Sequence, residues 1–535
     1  MSAPQSVATI LKQKVTVDIE SIDRMYLNVY VPLLQTPGGV AHFFRQQRGA
    51  PFASSALMDP LTRAFVAALE RFARAQDIPL LTFKKGQRKD EVAAEYRAQC
   101  GDEEGVLFIG KAQEKATVCR TEKRHNPETG RSYPWLVRST ALVNQYYIYA
   151  LDRDFGPFFL KFCSYFPYNA KLCLNGHEYL KRQLIHAGIA FEALDNGLFS
   201  CADPARAQQI CDGLSAALID GLLRTWLARL PHPFTPEDRA AGYRYDLSIL
   251  QAEFARTQVL DRPRTGRVFF EEVIRENLDL GRPDQVQLIF DRRVTKRTPG
   301  RFRTRVISQG VTPSLYVDYT HTRIKQYHKE GRALRTETTI NDTRDFAIGK
   351  RLHNLPALRA VGFAANRRLL DVQTLSHDCQ MGEDAFSQVT QPQLGAGQRV
   401  SALPFADPRV QALLSVLVLF CLLPQGFANK DVREHLALLL GLDPSAMTPG
   451  RMTYDLRRLR LHGLIARLPH SHRYRVTHEG LRTALFFNRV YARILRPGMA
   501  RITPLAPPGD TALRPYFDQL EGAIDHWIDH AQLAA

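Results

Sequence analysis

The sequence predicts a multidomain α+β protein, with mixed or antiparallel sheets packed against helices, and three observations lead there. Short apolar runs of strand type recur through the first 340 residues, as in VTVDI, LNVYV, GVLFIG and YYIYA. Helical periodicity separates them, as over 61–75, where Phe65, Leu69 and Phe72 share one face. Beyond residue 405 the pattern changes to successive helices closed by a short basic hairpin. A chain of 535 residues should hold about three to four domains. The expected spans are an α/β region at 1–100, an α/β domain with an aromatic-rich core at 101–235, a basic strand-rich domain at 236–395, a helix-and-hairpin module at 405–500, and a helical tail at 501–535.

Hydrophobic residues make up 45% of the chain and charged ones 23%, which is ordinary globular material. The net charge of +17 is the departure, and it is localised. Residues 291–335 carry twelve Lys/Arg against three acids, and residues 448–477 carry seven against one. An excess focused on two short stretches favours a polyanion partner over general solubility. The eight cysteines form no C-x-x-C pair, and the first twenty residues lack an apolar signal core, so a cytoplasmic setting with reduced thiols is expected. The longest apolar run, 412–423, is well short of the ~20 residues that span a bilayer, so no membrane is expected as partner.

In chain order, the basic loop Lys84–Lys89 reads equally as a solvated turn or a phosphate contact. Gly105–Ala112 approaches the P-loop pattern but fails it. Ala112 has no hydroxyl for magnesium, and the residues between the glycines are strand formers, so nucleotide hydrolysis is excluded here. That strand leaves Lys111, Gln113, Glu114 and Lys115 at its end. YYIYA is followed by Asp152 and Asp154, and a strand ending in closely spaced acids is how metal-dependent nucleases hold magnesium. Acids also cap loops after strands, so both readings stand. Asp152, Asp154 and Glu114 are the candidate catalytic acids here, Glu192 and Asp195 lie further on, and Mg²⁺ or Mn²⁺ is the expected cofactor if the protein is an enzyme. Cys163, Cys173, His177 and His186 are too loosely spaced for structural zinc. Helix is expected over 203–230, a proline-rich linker at 231–236, and further helices at 243–257 and 266–278.

The first basic centre opens with DRRVTKRTPGRFRTR, whose Arg292, Arg293, Lys296, Arg297, Arg301, Arg303 and Arg305 suit a hairpin or extended arms. Strands are expected at 315–319, 323–327 and 334–340. Strand period places Arg323, Lys325 and Tyr327 on one face, and Arg335, Glu337 and Thr339 on one face of the next strand. Interleaved cations and aromatics suit a nucleic-acid strand, which offers phosphates and stackable bases. The order LYV, K-x-Y-x-K, LR-x-E, with Lys325, Tyr327, Lys329, Arg335 and Glu337, resembles phage and plasmid rolling-circle replication initiators over some thirty residues. That resemblance implies a nicking tyrosine, Tyr319 or Tyr327, and a catalytic Glu337. It departs at the metal ligands, because His321 and His328 stand seven apart where the family has a His-x-His-like pair. The whole chain is similar to a family of large bacterial proteins, which implies a mobile-element or genome-maintenance setting.

In the C-terminal module, Val410–Leu423 is an apolar helix, Asn429 is placed to cap a second, and Val432, Leu436 and Leu439 form that helix's stripe. A third helix follows with Met452, Leu456 and Leu459 inward and Arg451, Tyr454 and Arg458 outward. Gly463 is placed to end it. LIARL and RYRV then form a hairpin around Pro469–His472, and a closing helix is expected over 480–495. This order resembles a winged helix-turn-helix, in which the third helix enters a major groove while arginines hold phosphates. The resemblance implies nucleic-acid contacts at Arg451, Tyr454, Arg457, Arg458, Arg473 and Arg475. The sequence therefore points to a nucleic-acid-binding protein, DNA rather than RNA, with metal-dependent nicking or strand transfer as an extension. A non-catalytic regulator or architectural factor, and a structured-RNA binder, are the alternatives.

Overall fold

Strand β1, Val15–Tyr30, is the spine of the first half of the molecule. Met25, Leu27 and Val29 alternate into a buried core, while Tyr26, Asn28 and Tyr30 on the other face are half-buried. The computed structural model describes residues 7–84, 86–101, 103–125, 127–266, 268–269, 303–309, 312–329, 333–377, 381–395, 397–423 and 426–491, with a few positions between 519 and 526. The chain divides into two compact units, Met1–Asp378 with Leu422–Gln425, and Cys379–Cys421 with Gly426–Ala535.

In the first unit β1 is followed by β2 Leu80–Thr82, β3 Gly105–His125, β4 Ser132–Asp152, β5 Gly156–Cys163 and β6 Ala170–Asn175. A small hairpin, β7 Phe191–Leu194 and β8 Gly197–Cys201, precedes β9 Asp246–Leu260, β10 Arg303–Gln309, β11 Thr312–Tyr319, β12 Thr322–Lys329 and β13 Ala333–Ile340. Eleven of these form one sheet in the order β10-β11-β12-β13-β9-β1-β6-β5-β4-β3-β2. Every pairing is antiparallel except β2 with β3, so the sheet is mixed. The segments expected as three domains, 1–100, 101–235 and 236–395, therefore contribute strands to one sheet.

The helices of this unit are α1 Val7–Gln13, α2 Pro37–Arg48, α3 Ser55–Ala75, α4 Lys89–Cys100, α5 Gly176–His186, α6 Pro204–Gly213, α7 Ala216–Arg229, α8 Pro236–Ala240 and α9 Leu355–His377. Phe43 and Phe44 of α2, Phe65 and Leu69 of α3, Trp226 of α7 and Leu358 of α9 join Leu27, Ile148, Leu160 and Phe254 in the main core on one sheet face. On the opposite face, Leu180 and Leu184 of α5 and Ala207 of α6 cover Val17, Ile19 and Val259. Val92 of α4 packs on Phe108, Tyr147 and Tyr149.

Two expectations are corrected. Residues 243–257, expected as helix, lie largely in strand β9. Both faces of that strand are covered in part, so buried Ala252 and Ala255 and helix-forming Leu, Gln and Glu obscure the alternation. The single helix expected over 203–230 is α6 and α7. They are separated at Leu214–Ser215, where Ser215 Oγ accepts Leu218 N–H and caps the second. Nearly all of the expected helix at 266–278, all of 286–302 and most of the 501–535 tail lie outside the described residues.

The second unit holds α10 Glu383–Thr390, β14 Gln393–Gly395, β15 Gln398–Val400, α11 Pro408–Phe420, β16 Phe427–Ala428, α12 Asn429–Leu439, α13 Pro449–Leu461, β17 Ile465–Arg467, β18 Arg473–Val476 and α14 His478–Val490. β16, β18 and β17 form a three-stranded antiparallel sheet in that order. Thr448 caps α13, Pro449 starts it, and Gly463 at φ 73° lies just beyond its end. Asn429 is the first residue of α12 rather than its cap. Asp431 Oδ2 accepts Ala428 N–H there, and the Asn429 amide donates instead to Thr453 Oγ1 of α13 over 3.0 Å.

Candidate nucleic-acid interface and a buried carboxylate cluster

In the second unit, Met452, Leu456 and Leu459 of α13 are buried, so helical geometry turns Arg451, Tyr454, Arg457 and Arg460 outward, all exposed. The helix is fixed from below by Asp455, buried at 3% exposure, whose Oδ2 accepts from Arg409 Nη2 of α11 over 2.5 Å. Part of the outward face is engaged inside the same unit. Tyr454 Oη shares a hydrogen bond with Ser401 Oγ (2.9 Å), Arg458 Nε donates to Ser401 O (3.2 Å), and Arg457 bonds Gln398. Across the β17–β18 hairpin, Arg467 and Arg475 are exposed, and half-buried Arg473 donates to Gly426 O over 2.7 Å.

In the first unit, the expected pairing of the 323–327 and 334–340 strands is present, with Lys325 opposite Glu337 and Tyr327 opposite Arg335. Lys325 Nζ sits 4.0 Å above the Tyr327 ring, and Arg323 pairs with Asp318 at 2.7 Å beside Tyr316. Arg335 is corrected: it is fully buried and presents nothing to a polymer. Its Nε donates to Glu337 Oε1 (2.8 Å), Nη1 to Thr257 Oγ1 (3.0 Å) and Nη2 to Asp23 Oδ2 (2.7 Å). Gly197 of the β7–β8 hairpin lets backbone lie against this guanidinium, since a Cβ there would stand 3.1 Å from Nη1.

Arg335 and Glu337 thus belong to a cluster with two acids from distant sequence. β1 breaks register with β9 between Ile22 and Met25, so Asp23 and Arg24 together oppose Glu253. Thr339 of β13 faces Glu253 from the other side. Carboxylate oxygens of Asp23, Glu253 and Glu337 lie within 4.8 Å of one another. His177, placed at the start of α5 by the Asn175 cap, reaches Asp23 Oδ1 through Nε2 (2.9 Å) and Ser21 Oγ through Nδ1 (3.1 Å). Tyr327 Oη donates to Glu337 Oε1 over 2.7 Å. Burial raises the Asp23 carboxyl, but His177 and Arg335 outweigh it and hold the group well below the ordinary range. Glu253 goes the other way. Burial, then the charges of Asp23 and Glu337, push it up to about 7, against a single ion pair with Arg24 at 3.7 Å. Burial and Glu337 also hold the Tyr327 phenol protonated.

The acids singled out from the N-terminal half do not converge. Glu114 lies opposite Val143, nine residues along β4 from Asp152, on the order of 30 Å at ~3.3 Å per residue. Asp152 is structural. Its Oδ2 accepts Trp226 Nε1–H (2.7 Å), and its Oδ1 takes the amides of Asp154 and Phe155 at 2.9 and 3.0 Å. Asp154 is exposed, 3.6 Å from His186, and Asp195 pairs with Lys329 at 3.2 Å. Glu114 instead gathers Lys89, Lys161 and Tyr147. Arg292, Arg293, Lys296, Arg297 and Arg301 lie outside the described residues, and Arg303 and Arg305 are described only as backbone of β10. Asp23 and Glu253 escaped sequence reasoning, and His177 was weighed there only as a zinc ligand. The available signal was the change of phase in β1's alternation across Ile22-Asp23-Arg24-Met25, the mark of a bulge.

The three-carboxylate set suits a hard divalent cation by chemistry, since Mg²⁺ and Mn²⁺ prefer oxygen. Tyr327 and Arg335 both bond Glu337 at Oε1, so its Oε2 takes neither of these bonds. No protein-family model, no curated protein and no solved structure matches the chain. Among the described residues no helix is long and apolar enough to cross a membrane.

Proposed function

We propose that the protein binds nucleic acid, DNA in particular, through a winged helix-turn-helix formed by its second unit. The observation that carries this reading is α13: Arg451, Tyr454, Arg457 and Arg460 stand outward beside a hairpin bearing Arg467 and Arg475. The helix order and the β16-β18-β17 sheet are those expected of such a module. A helix so furnished fits the wide major groove of B-form DNA. The narrow major groove of A-form RNA does not admit it, which favours DNA over the structured-RNA alternative. Lys325, Tyr327 and Arg323 on the first unit's sheet are a second contact surface, suited to an unpaired strand. Fluorescence anisotropy of the full chain with duplex DNA, single strand and RNA tests this, with duplex preferred by α13 and a preference for RNA counting against the reading.

A second reading, metal-dependent nicking or strand transfer, is favoured by one observation: Tyr327 is hydrogen-bonded to Glu337, inside a three-carboxylate cluster. Glu253, Glu337 and Asp23 would hold Mg²⁺ or Mn²⁺, whose charge would stabilise a phosphodiester under attack. Tyr327 would attack the phosphorus with Glu337 taking its proton, since burial keeps the phenol from ionising unaided. A phosphotyrosyl bond would form as the P–O bond to the neighbouring nucleotide's 3′ oxygen breaks, and that strand would leave as a 3′-hydroxyl protonated by solvent. Arg335 fixes the Glu337 oxygen. Incubation with labelled single-stranded DNA and Mn²⁺ should give a covalent protein–DNA product absent in Tyr327→Phe. Binding without any product leaves a regulator or architectural factor.

A further inference from the structure

The sheet face that carries Lys325 and Tyr327, covered in part by α4, α5 and α6, continues across β1 to β6 and β5, and there it carries an electrostatic conflict. Lys161 of β5 and Lys171 of β6 are direct antiparallel partners with side chains on one face. Like charges placed opposite each other on a sheet destabilise it. Lys161, buried at 9% exposure, is compensated by Glu114, which also takes Lys89 Nζ at 2.5 Å and Tyr147 Oη at 2.5 Å. Lys89 and Lys161 therefore share one inward carboxylate, with Asp90 exposed at α4. Lys171 has no ion-pair partner among the described residues. Its Nζ lies 5.1 Å over the Tyr26 ring, and burial and Lys161 both bear on its charge, lowering its affinity for a proton. Tyr26 and Phe159, both half-buried, stand beside it with ring centroids 6.2 Å apart.

A half-buried ammonium facing a second one, with aromatic rings alongside, matches the two things a nucleotide unit offers, a phosphate and a flat base. We propose that Lys171, supported by Lys161, binds a phosphate of a nucleotide unit whose base rests on Tyr26 and Phe159. This rests on the nucleic-acid reading above, and adds to it a site on the sheet of the first unit.

Full-length protein with Lys171→Gln, and separately Tyr26→Leu, is titrated with a fluorescent oligothymidylate and with a duplex. Each substitution should weaken single-strand binding about tenfold or more. Duplex affinity, carried by α13, should stay within about twofold. Lys171→Gln should also melt no lower than the native chain, because it relieves the facing charges. Competition with free thymidine monophosphate or with a 5′-phosphorylated strand then distinguishes a mononucleotide site from a strand site. Unchanged single-strand affinity in both variants overturns the proposal while leaving the α13 reading intact. Native duplex affinity in an Arg451→Ala/Arg460→Ala variant overturns the α13 reading instead, so the two failures are distinguishable.

Discussion

Arg335 and Asp23, 312 residues apart in sequence, are joined by a 2.7 Å hydrogen bond in a part of the first unit where Arg335 has no exposed surface. The guanidinium ties β13 to the bulge of β1 across β9, and it also holds Glu337. A buried cation serving two carboxylates is costly to remove. Arg335→Met should destabilise the first unit by about 3–5 kcal/mol, because Asp23 and Glu337 lose their counter-charge while still buried. Urea denaturation measures this, and a loss below about 1 kcal/mol would show the cluster to be open to water.

Glu253 gives a pH signature of known sign. Its folded pKa, about 7, lies above the unfolded value, so the folded chain binds the extra proton between about pH 4 and 7 and loses stability as pH rises through that window. Glu253→Gln removes the loss. It should match the native chain near pH 4 and exceed it by on the order of 2 kcal/mol at pH 8. If the cluster holds a cation, Mn²⁺ should raise the native melting temperature at pH 8 and leave Glu253→Gln unmoved.

Glu114 carries the opposite sign. Burial opposes its ionisation, yet hydrogen bonds from Lys161 and Lys89 bring it down to about 2. Its stabilising effect is full above about pH 4 and is lost as pH falls toward 2. Glu114→Gln should therefore lower the melting temperature at pH 7, where Lys161 and Lys171 are left facing each other, with the difference from the native chain closing near pH 2.

Asp152 was legible as an acid at a strand end, where its carboxylate holds Trp226 and a turn. Asp152→Ala should cost about 2 kcal/mol by stripping Trp226 Nε1 and two turn amides of their acceptor. It should leave nucleic-acid affinity unchanged, and a specific loss of cleavage instead would restore it as a catalytic acid.

How much could be read from the chain depended on how local each feature is. β12 alternates cleanly, with Ile324 and Gln326 buried and Lys325 and Tyr327 half-buried, so its pairing was readable. The helices and hairpin around 448–477 were readable for the same reason, with Met452, Leu456 and Leu459 inward as expected. β9 was not, because a central strand covered on both faces loses its period. The carboxylate cluster was half legible. Arg335, Glu337 and Tyr327 lie within eleven residues, but Asp23 and Glu253 join them only through the strand order β13-β9-β1 and a bulge.

The most direct test of the central claim is the salt dependence of duplex DNA binding by the full chain and by Arg451→Ala/Arg460→Ala. If α13 holds phosphates, log affinity falls linearly with log salt, and the double variant both weakens binding and flattens the slope by about one unit for each phosphate no longer neutralised. Duplex affinity indifferent to salt, or a variant with the native slope, would contradict the account.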